Sequence, residues 1–128
     1  FLKKNDFNVF YKAHPERPEG IESIYKKFVD KIFFGKFEDQ KNLENIDTLI
    51  FTYTCSSTFG YSLCTNKRII LFYNEDYFSD HIKLLKKRVK VIPYKFDKKY
   101  IANFNVLLKE LKNNQSKINY DYVKKYLI

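Results

Sequence analysis

Residues 46–73 read IDTLIFTYTCSSTFGYSLCTNKRIILFY, and the order of side chains in this stretch decides the fold. An apolar run, Leu49, Ile50 and Phe51, leads into a run of hydroxyls at Thr52, Thr54, Ser56, Ser57 and Thr58. A helix-compatible segment follows, and then a second apolar run, Ile69, Ile70, Leu71 and Phe72. The outline is strand, turn, helix, strand. The first strand, residues 48–52, is nearly continuously apolar, as expected of a parallel strand buried on both faces. The helix is expected over residues 57–63, with Ser56 or Ser57 as its N-cap. Gly60 inside it costs about 1 kcal/mol relative to Ala, which points to a close packing contact there. Thr65 and Asn66 break the helix before a strand at 68–73. In a parallel sheet the turn between such a strand and helix lies at the strand's carboxyl end, where ligands bind. Free amides and small hydroxyls at that place suit an anion. Ser56, Ser57 and Thr58 are therefore candidate phosphate ligands, with Thr54 beside them.

Outward from this unit the alternation continues. Residues 8–12 (NVFYK) read as a first strand, ended by Ala13-His14-Pro15. Pro15 and Pro18 hold the turn out of helix and favour an extended His14. Ile21, Ile24, Tyr25, Phe28 and Ile32 recur at three- and four-residue spacing, so residues 19–32 are expected as an amphipathic helix. Residues 37–45 are polar, a short helix or loop. Beyond the central unit, residues 79–87 are expected as a helix with Ile82 and Leu85 inward. Val89, Val91 and Ile92 form a strand closed by Pro93. Asp97 caps a helix over 98–112, with Ile101, Phe104, Leu108 and Leu111 on one face. Residues 113–128 are a linker and a final amphipathic segment at 120–127. Strands alternating with helices argue for an α/β fold, a Rossmann-like doubly wound parallel sheet of about four strands with helices on both faces. Residues 1–112 are expected as one domain. The chain begins with Phe1 rather than Met, and a fragment cut at its amino-terminal side is expected.

Composition narrows the function classes. The 128 residues suffice for one domain with a real core. The usage of Phe, Tyr, Asn and Lys, without Trp or Met, reads as the mark of an A+T-rich genome. The net charge of +9 is compatible with nucleic acid, an anionic membrane or an anionic small ligand. The lysines come in pairs interleaved with acids, so no basic tail exists. Tyr94-Lys95-Phe96 and Lys98-Lys99-Tyr100 have the mixed basic and aromatic look of a nucleic-acid surface. An aromatic core under a lysine-rich surface gives the same pattern, and that reading is preferred. Cys55 and Cys64 do not make a disulfide framework and read as small buried side chains. His14, His81 and the two cysteines lack metal-ligand spacing, so no metal is expected. No apolar run approaches the roughly 18 residues that span a bilayer. His14, at a strand's carboxyl end, can donate a hydrogen bond to a phosphate, and Arg17 and Lys12 are auxiliary cations beside it.

Two of these motifs together carry a resemblance. Tyr11-Lys12-Ala13-His14-Pro15 resembles the Lys-x-His-Pro strand end of bacterial surface-polysaccharide transferases. The segment from Thr52 through Tyr53, Thr54, Cys55, Ser56, Ser57 and Thr58, following Ile46-Asp47-Thr48-Leu49-Ile50, resembles those families' Thr-x-x-Ser-Ser/Thr turn. Asn66-Lys67-Arg68-Ile69-Ile70-Leu71-Phe72 resembles the strand that comes next. Over about residues 8–112 the chain is thus similar to the carboxyl-terminal, donor-binding half of GT-B-type glycosyltransferases. Capsule and surface-carbohydrate transferases, CDP-glycerol glycerophosphotransferases and bacterial sialyltransferases share the pairing. The resemblance implies that His14 and the hydroxyls of Ser56, Ser57 and Thr58 contact the phosphates of a nucleotide-sugar or CDP-polyol donor of the CMP/CDP or UDP type. It implies a metal-independent enzyme without a cofactor, His14 stabilising the departing phosphate. The general base would lie in an amino-terminal acceptor domain that precedes this stretch. The setting implied is cytoplasmic, peripheral at the inner face of the cell membrane, with no nucleic acid as partner. Two departures stand out. No acidic residue follows the hydroxyl turn, which bears on donor choice, and Arg68 replaces the usual proline, which bears on local backbone. The rivals from other classes are a non-catalytic α/β module that binds phosphate, a nucleotide or a partner protein, and a basic RNA-binding domain, which strong salt-dependent RNA affinity would favour.

Overall fold

The computed structural model describes residues 1–14, 22–34, 44–77, 80–113 and 125. The chain forms two compact units, Phe1–Asn45 and Ile46–Ile128. The division falls inside the stretch 1–112 expected as one domain.

In the first unit, strand β1 (Phe10–Lys12) pairs in parallel with strand β2 (Lys31–Phe33), Tyr11 opposite Ile32. Helix α1 (Glu22–Tyr25) lies between them in sequence. It is much shorter than the helix expected over 19–32. The apolar spacing that suggested one helix belongs to two elements: Ile32 sits in β2, while Ile24 and Phe28 are exposed. The Tyr25 ring stacks on Tyr11 at 4.4 Å, which fixes α1 against β1. Asp30 closes the other end of the pair. Its carboxylate accepts from the Val9 amide at 2.7 Å, and its own amide donates to the Val9 carbonyl.

The second unit is α/β, a four-stranded mixed sheet with helices. Strands β3 (Thr48–Phe51), β4 (Arg68–Asn74), β5 (Lys90–Asp97) and β6 (Lys99–Ala102) lie in that order. The pairs β3–β4 and β4–β5 are parallel and β5–β6 is antiparallel. The sheet is therefore mixed, not parallel throughout, and the strand expected at 8–12 pairs with β2 instead of joining it. The order β3-β4-β5 has no reversal. Parallel crossovers of one hand that step in one direction place their helices on one face, and they do so here. Helices α2 (Ser57–Leu63) and α3 (Asp80–Leu85) both pack on Ile69 and Leu71 of β4, through Phe59, Leu63, Ile82 and Leu85.

Side chains alternate along a strand, so Arg68, Ile70 and Phe72 face the other way. Helix α4 (Phe104–Lys112) covers that side. Phe104 meets Phe72 at 6.2 Å between ring centroids, and Leu107 is buried. Helices thus stand on both faces of the sheet. Ile69, Ile70 and Leu71 are at most 1% exposed, so β4 is buried on both sides. Burial of each such side chain contributes roughly 1.5–3 kcal/mol.

Three expectations over 89–112 are corrected. β5 runs through Pro93, because the pairing with β6 begins only at Tyr94 and leaves that side of β5 open at the proline. Residues 99–102 are strand instead of helix: the chain reverses at Lys98, which takes a left-handed φ of 57°. The cap of α4 is then Asn103, not Asp97. Its side-chain oxygen accepts from the Asn105 and Val106 amides.

Two arginines hold the ends of helices. Arg88 is buried and donates to the carbonyls of Leu63 (3.0 Å), Thr65 (2.7 Å) and Lys67 (3.1 Å), which cover the end of α2 and the turn into β4. Arg68 donates to the carbonyls of Glu110 (2.5 Å), Leu111 (3.1 Å) and Asn113 at the end of α4. A helix leaves its last carbonyls without intrahelical donors, and a cation there also suits the helix dipole. Arg68 therefore does more than shape local backbone: it ties β4 to α4.

The residues expected at 15–21, 35–43, 78–79 and 114–124 lie outside those described, as does the segment at 120–127 apart from Lys125. Truncating Arg88 to Ala strips donors from three carbonyls and should cost on the order of 2–4 kcal/mol in urea unfolding. Arg88→Lys should recover only part of it, since one ammonium lacks the planar fork. Gly60, by contrast, meets no close contact: a Cβ built there finds nothing within 4 Å. Gly60→Ala should raise stability by about 0.5–1 kcal/mol, read as a higher thermal midpoint, and a lower midpoint would mean that the position is packed.

Candidate functional site

The hydroxyl turn is built by β3 below and α2 above. β3 ends at Phe51, whose ring meets Phe59 of α2 edge-on at 5.1 Å. That contact, in the core, fixes how α2 leaves the sheet. Between them the chain makes a tight turn, with the Ser56 amide donating to the Thr54 carbonyl at 2.9 Å. Ser56 is extended and is the N-cap: its hydroxyl accepts from the Phe59 amide at 3.0 Å. This is the start and the cap expected from the sequence.

The candidate ligands therefore differ in kind. Ser56 is half-buried and is spent on the cap. Ser57 is exposed and Thr58 half-buried, and their hydroxyls make no hydrogen bond among the described residues. The first amides of α2 lack intrahelical acceptors, as those of any helix do. Thr54 is half-buried and contributes its carbonyl to the turn. Ser62, one helical turn on, is fully buried and donates back to the Thr58 carbonyl at 2.6 Å. Cys55 and Cys64 are both exposed, not the small buried side chains expected. They sit just outside the two ends of α2, where no core residue is needed.

The turn lies at the carboxyl end of a parallel strand. Because β3 is the edge strand of its sheet among the described residues, it is a rim site and not a crevice between two reversing halves. Next along the same rim, β4 ends in Asn74, whose side chain accepts from the Asp76 amide, and Glu75 pairs with Lys95 at 3.6 Å. These residues carried no role in the sequence reading. They become neighbours of the turn's strand only through the register of β3 with β4.

His14 belongs to the first unit and the hydroxyl turn to the second. His14 is exposed and follows the carboxyl end of β1 by two residues. Ala13, between them, is buried, and its amide continues the pairing onto the Phe33 carbonyl at 2.9 Å. The Lys12 ammonium donates to the Ala13 carbonyl at 2.7 Å, so it braces this strand end. Arg17 lies outside the described residues. Among the described residues no group of three or more His, Cys, Asp or Glu side chains could hold a metal ion. No helix there is long and apolar enough to cross a membrane.

No family model, curated protein or solved structure matches this chain. The resemblance to GT-B-type transferases rests on its short motifs alone.

The strand pair that ends at His14 is closed at its far end by Asp30. The Val9 amide, and then the Lys3 ammonium at 3.0 Å, hold its carboxyl below the usual carboxylate range. A lowered native pKa stabilises the fold above the unfolded value of about 3.9, and the contribution is lost as pH falls through the native value. Acidification should therefore open the β1–β2 pair from its Val9 end. The check is the protection of the Val9 amide against hydrogen exchange, relative to the intrinsic rate at each pH, which should fall below about pH 4 in the natural chain. In Asp30→Asn, which does not titrate, that pH step should be absent.

Proposed function

We propose that this chain binds the phosphates of a nucleotide-activated donor and is the donor half of a GT-B-type, metal-independent glycosyltransferase of bacterial surface-polysaccharide synthesis. The observation that carries the reading is the turn after β3: a run of small hydroxyls at the carboxyl end of a parallel strand, with those of Ser57 and Thr58 left over after Ser56 has capped the helix. The placement of His14 adds support, since it too follows the carboxyl end of a parallel strand within its own unit.

The chemistry follows from charge. Departure of a nucleotide builds negative charge on its phosphates. Donors aimed at that charge lower the barrier. Hydroxyl and amide donors at the turn supply them without a metal, and His14 is a further donor only by the resemblance. The acceptor's proton goes to a base outside this chain, so the chain alone binds donor and turns over little. A Rossmann-like, doubly wound donor domain is the architecture this reading implies, and the α/β sheet with helices on both faces is compatible with it.

Ser57 is the informative residue to change, because Ser56→Ala would also remove a cap worth about 1 kcal/mol. In titrations of CMP, CDP and UDP followed by phosphorus NMR, Ser57→Ala and His14→Ala should each weaken binding of the preferred nucleotide by about 1–3 kcal/mol, with the unfolding transition unchanged. Equal affinities in all three proteins would refute the assignment. Retained nucleotide binding without transfer, in a chain that carries its acceptor domain, would favour the non-catalytic module.

A further inference from the structure

The hairpin formed by β5 and β6 leaves the sheet. β4 ends at Asn74, opposite Tyr94, so β5 beyond that point has β6 as its only partner among the described residues. Register assigns its faces. Tyr94 stands opposite Ala102 and Phe96 opposite Tyr100. The rings of Tyr94, Phe96 and Tyr100 therefore share one face. Tyr100 touches both of the others, at 5.7 Å from Tyr94 and 4.9 Å from Phe96. These rings were expected to pack in the core, and they do not: Phe96 is 59% and Tyr100 72% exposed. The core ends at Ile92, and the ladder of rings continues past it.

Charge surrounds the ladder. Lys98 is at the tip and Lys99 follows it, both exposed and neither in an ion pair among the described residues. Lys95, on the opposite face, is held by Glu75. Asp97, the one acid of the hairpin, stands opposite Lys99, and both lie on the face away from the rings.

We propose that this hairpin binds single-stranded nucleic acid, with bases stacked on Phe96 and Tyr100 and the phosphate backbone held by Lys98 at the tip. Exposed rings on a ribbon offer π-faces to any base, and a cation at the ribbon's tip can hold the backbone. Together these are what sequence-tolerant single-strand binding needs. The lysines at the tip disfavour the rival that uses the same rings, insertion of the hairpin tip into a membrane, because they would enter first. The proposal replaces the expectation that nucleic acid is no partner. It uses none of the residues of the hydroxyl turn, so it stands or falls apart from the donor-binding reading.

The test is fluorescence anisotropy of the full chain with labelled twelve-nucleotide oligouridine and oligothymidine, and with a duplex of the same length, over a range of salt. Single strands should bind more tightly than duplex. Phe96→Ala and Tyr100→Ala should each weaken binding by about 5- to 150-fold, whereas Tyr100→Phe, which keeps the ring, should bind like the natural chain. Lys98→Gln should reduce the slope of log affinity against log salt by about 0.7. An unchanged unfolding midpoint shows that each variant is folded. Equal binding of duplex and single strand, or ring variants that bind as the natural chain does, would overturn the proposal. So would ring-dependent sedimentation with phosphatidylglycerol vesicles, or ring-dependent self-association, in a chain that does not bind the oligonucleotides.

Discussion

One guanidinium sets the geometry of the second unit. The turn from α2 into β4 brings the carbonyls of Leu63, Thr65 and Lys67 together next to the core, and the buried Arg88 satisfies all three. Leaving a buried polar group unpaired costs about 1–3 kcal/mol, so without this fork the turn could not lie where it does. Arg68 repeats the device at the end of α4. The chain has 24 basic residues, of which three are arginines. In a protein that uses lysine by default, two of those three are placed where a planar, multi-donor cation is needed. Both act at the amino end of β4. The amino-terminal rim of the sheet is thereby committed to structure, and the carboxyl-terminal rim is left to carry the hydroxyl turn and the overhanging hairpin.

The central unit was legible in the sequence because several signals agreed there. Continuous apolar runs marked β3 and β4, the serines marked a cap, and helix α2 has the bounds that these signals gave. Elsewhere one signal stood alone and misled. Apolar spacing across residues 21–32 suggested a single helix. The Asp30 carboxylate, by holding the Val9 amide, starts a strand pair there, and a contact across 21 residues leaves no local trace. The turn at Lys98 was missed for a related reason. A left-handed φ is ordinarily announced by Gly, Asn or Asp, and lysine announces nothing. Without that turn, Asp97 looked like a helix cap and β6 like the first turn of a helix.

The candidate site was legible in its residue types but not in how those residues divide their hydrogen bonds. Five hydroxyls in seven positions drew attention to the turn. Only the structure shows that Ser56 is engaged in the cap and that, among the described residues, the hydroxyls of Ser57 and Thr58 are not hydrogen-bonded. The two arginines could not have been found from composition, since a helix-end clamp depends on which carbonyls a fold leaves bare. Glu75 and Asn74 likewise reach the turn's rim only through strand register.

The hairpin shows the opposite balance of forces from β4. Its rings pack on one another, which contributes about 0.5–1.5 kcal/mol per pair, less than the burial of an equivalent core side chain. A two-stranded ribbon without a third strand is marginal by itself. Here the Lys95–Glu75 pair is exposed and adds little. The hairpin is thus held mainly by its continuity with β5, which is anchored in the sheet through Val91 and Ile92. Such a ribbon can adjust its ring planes to a ligand without disturbing the core. It keeps its rings in water because the third layer, α4, begins only at Phe104 and does not reach the tip.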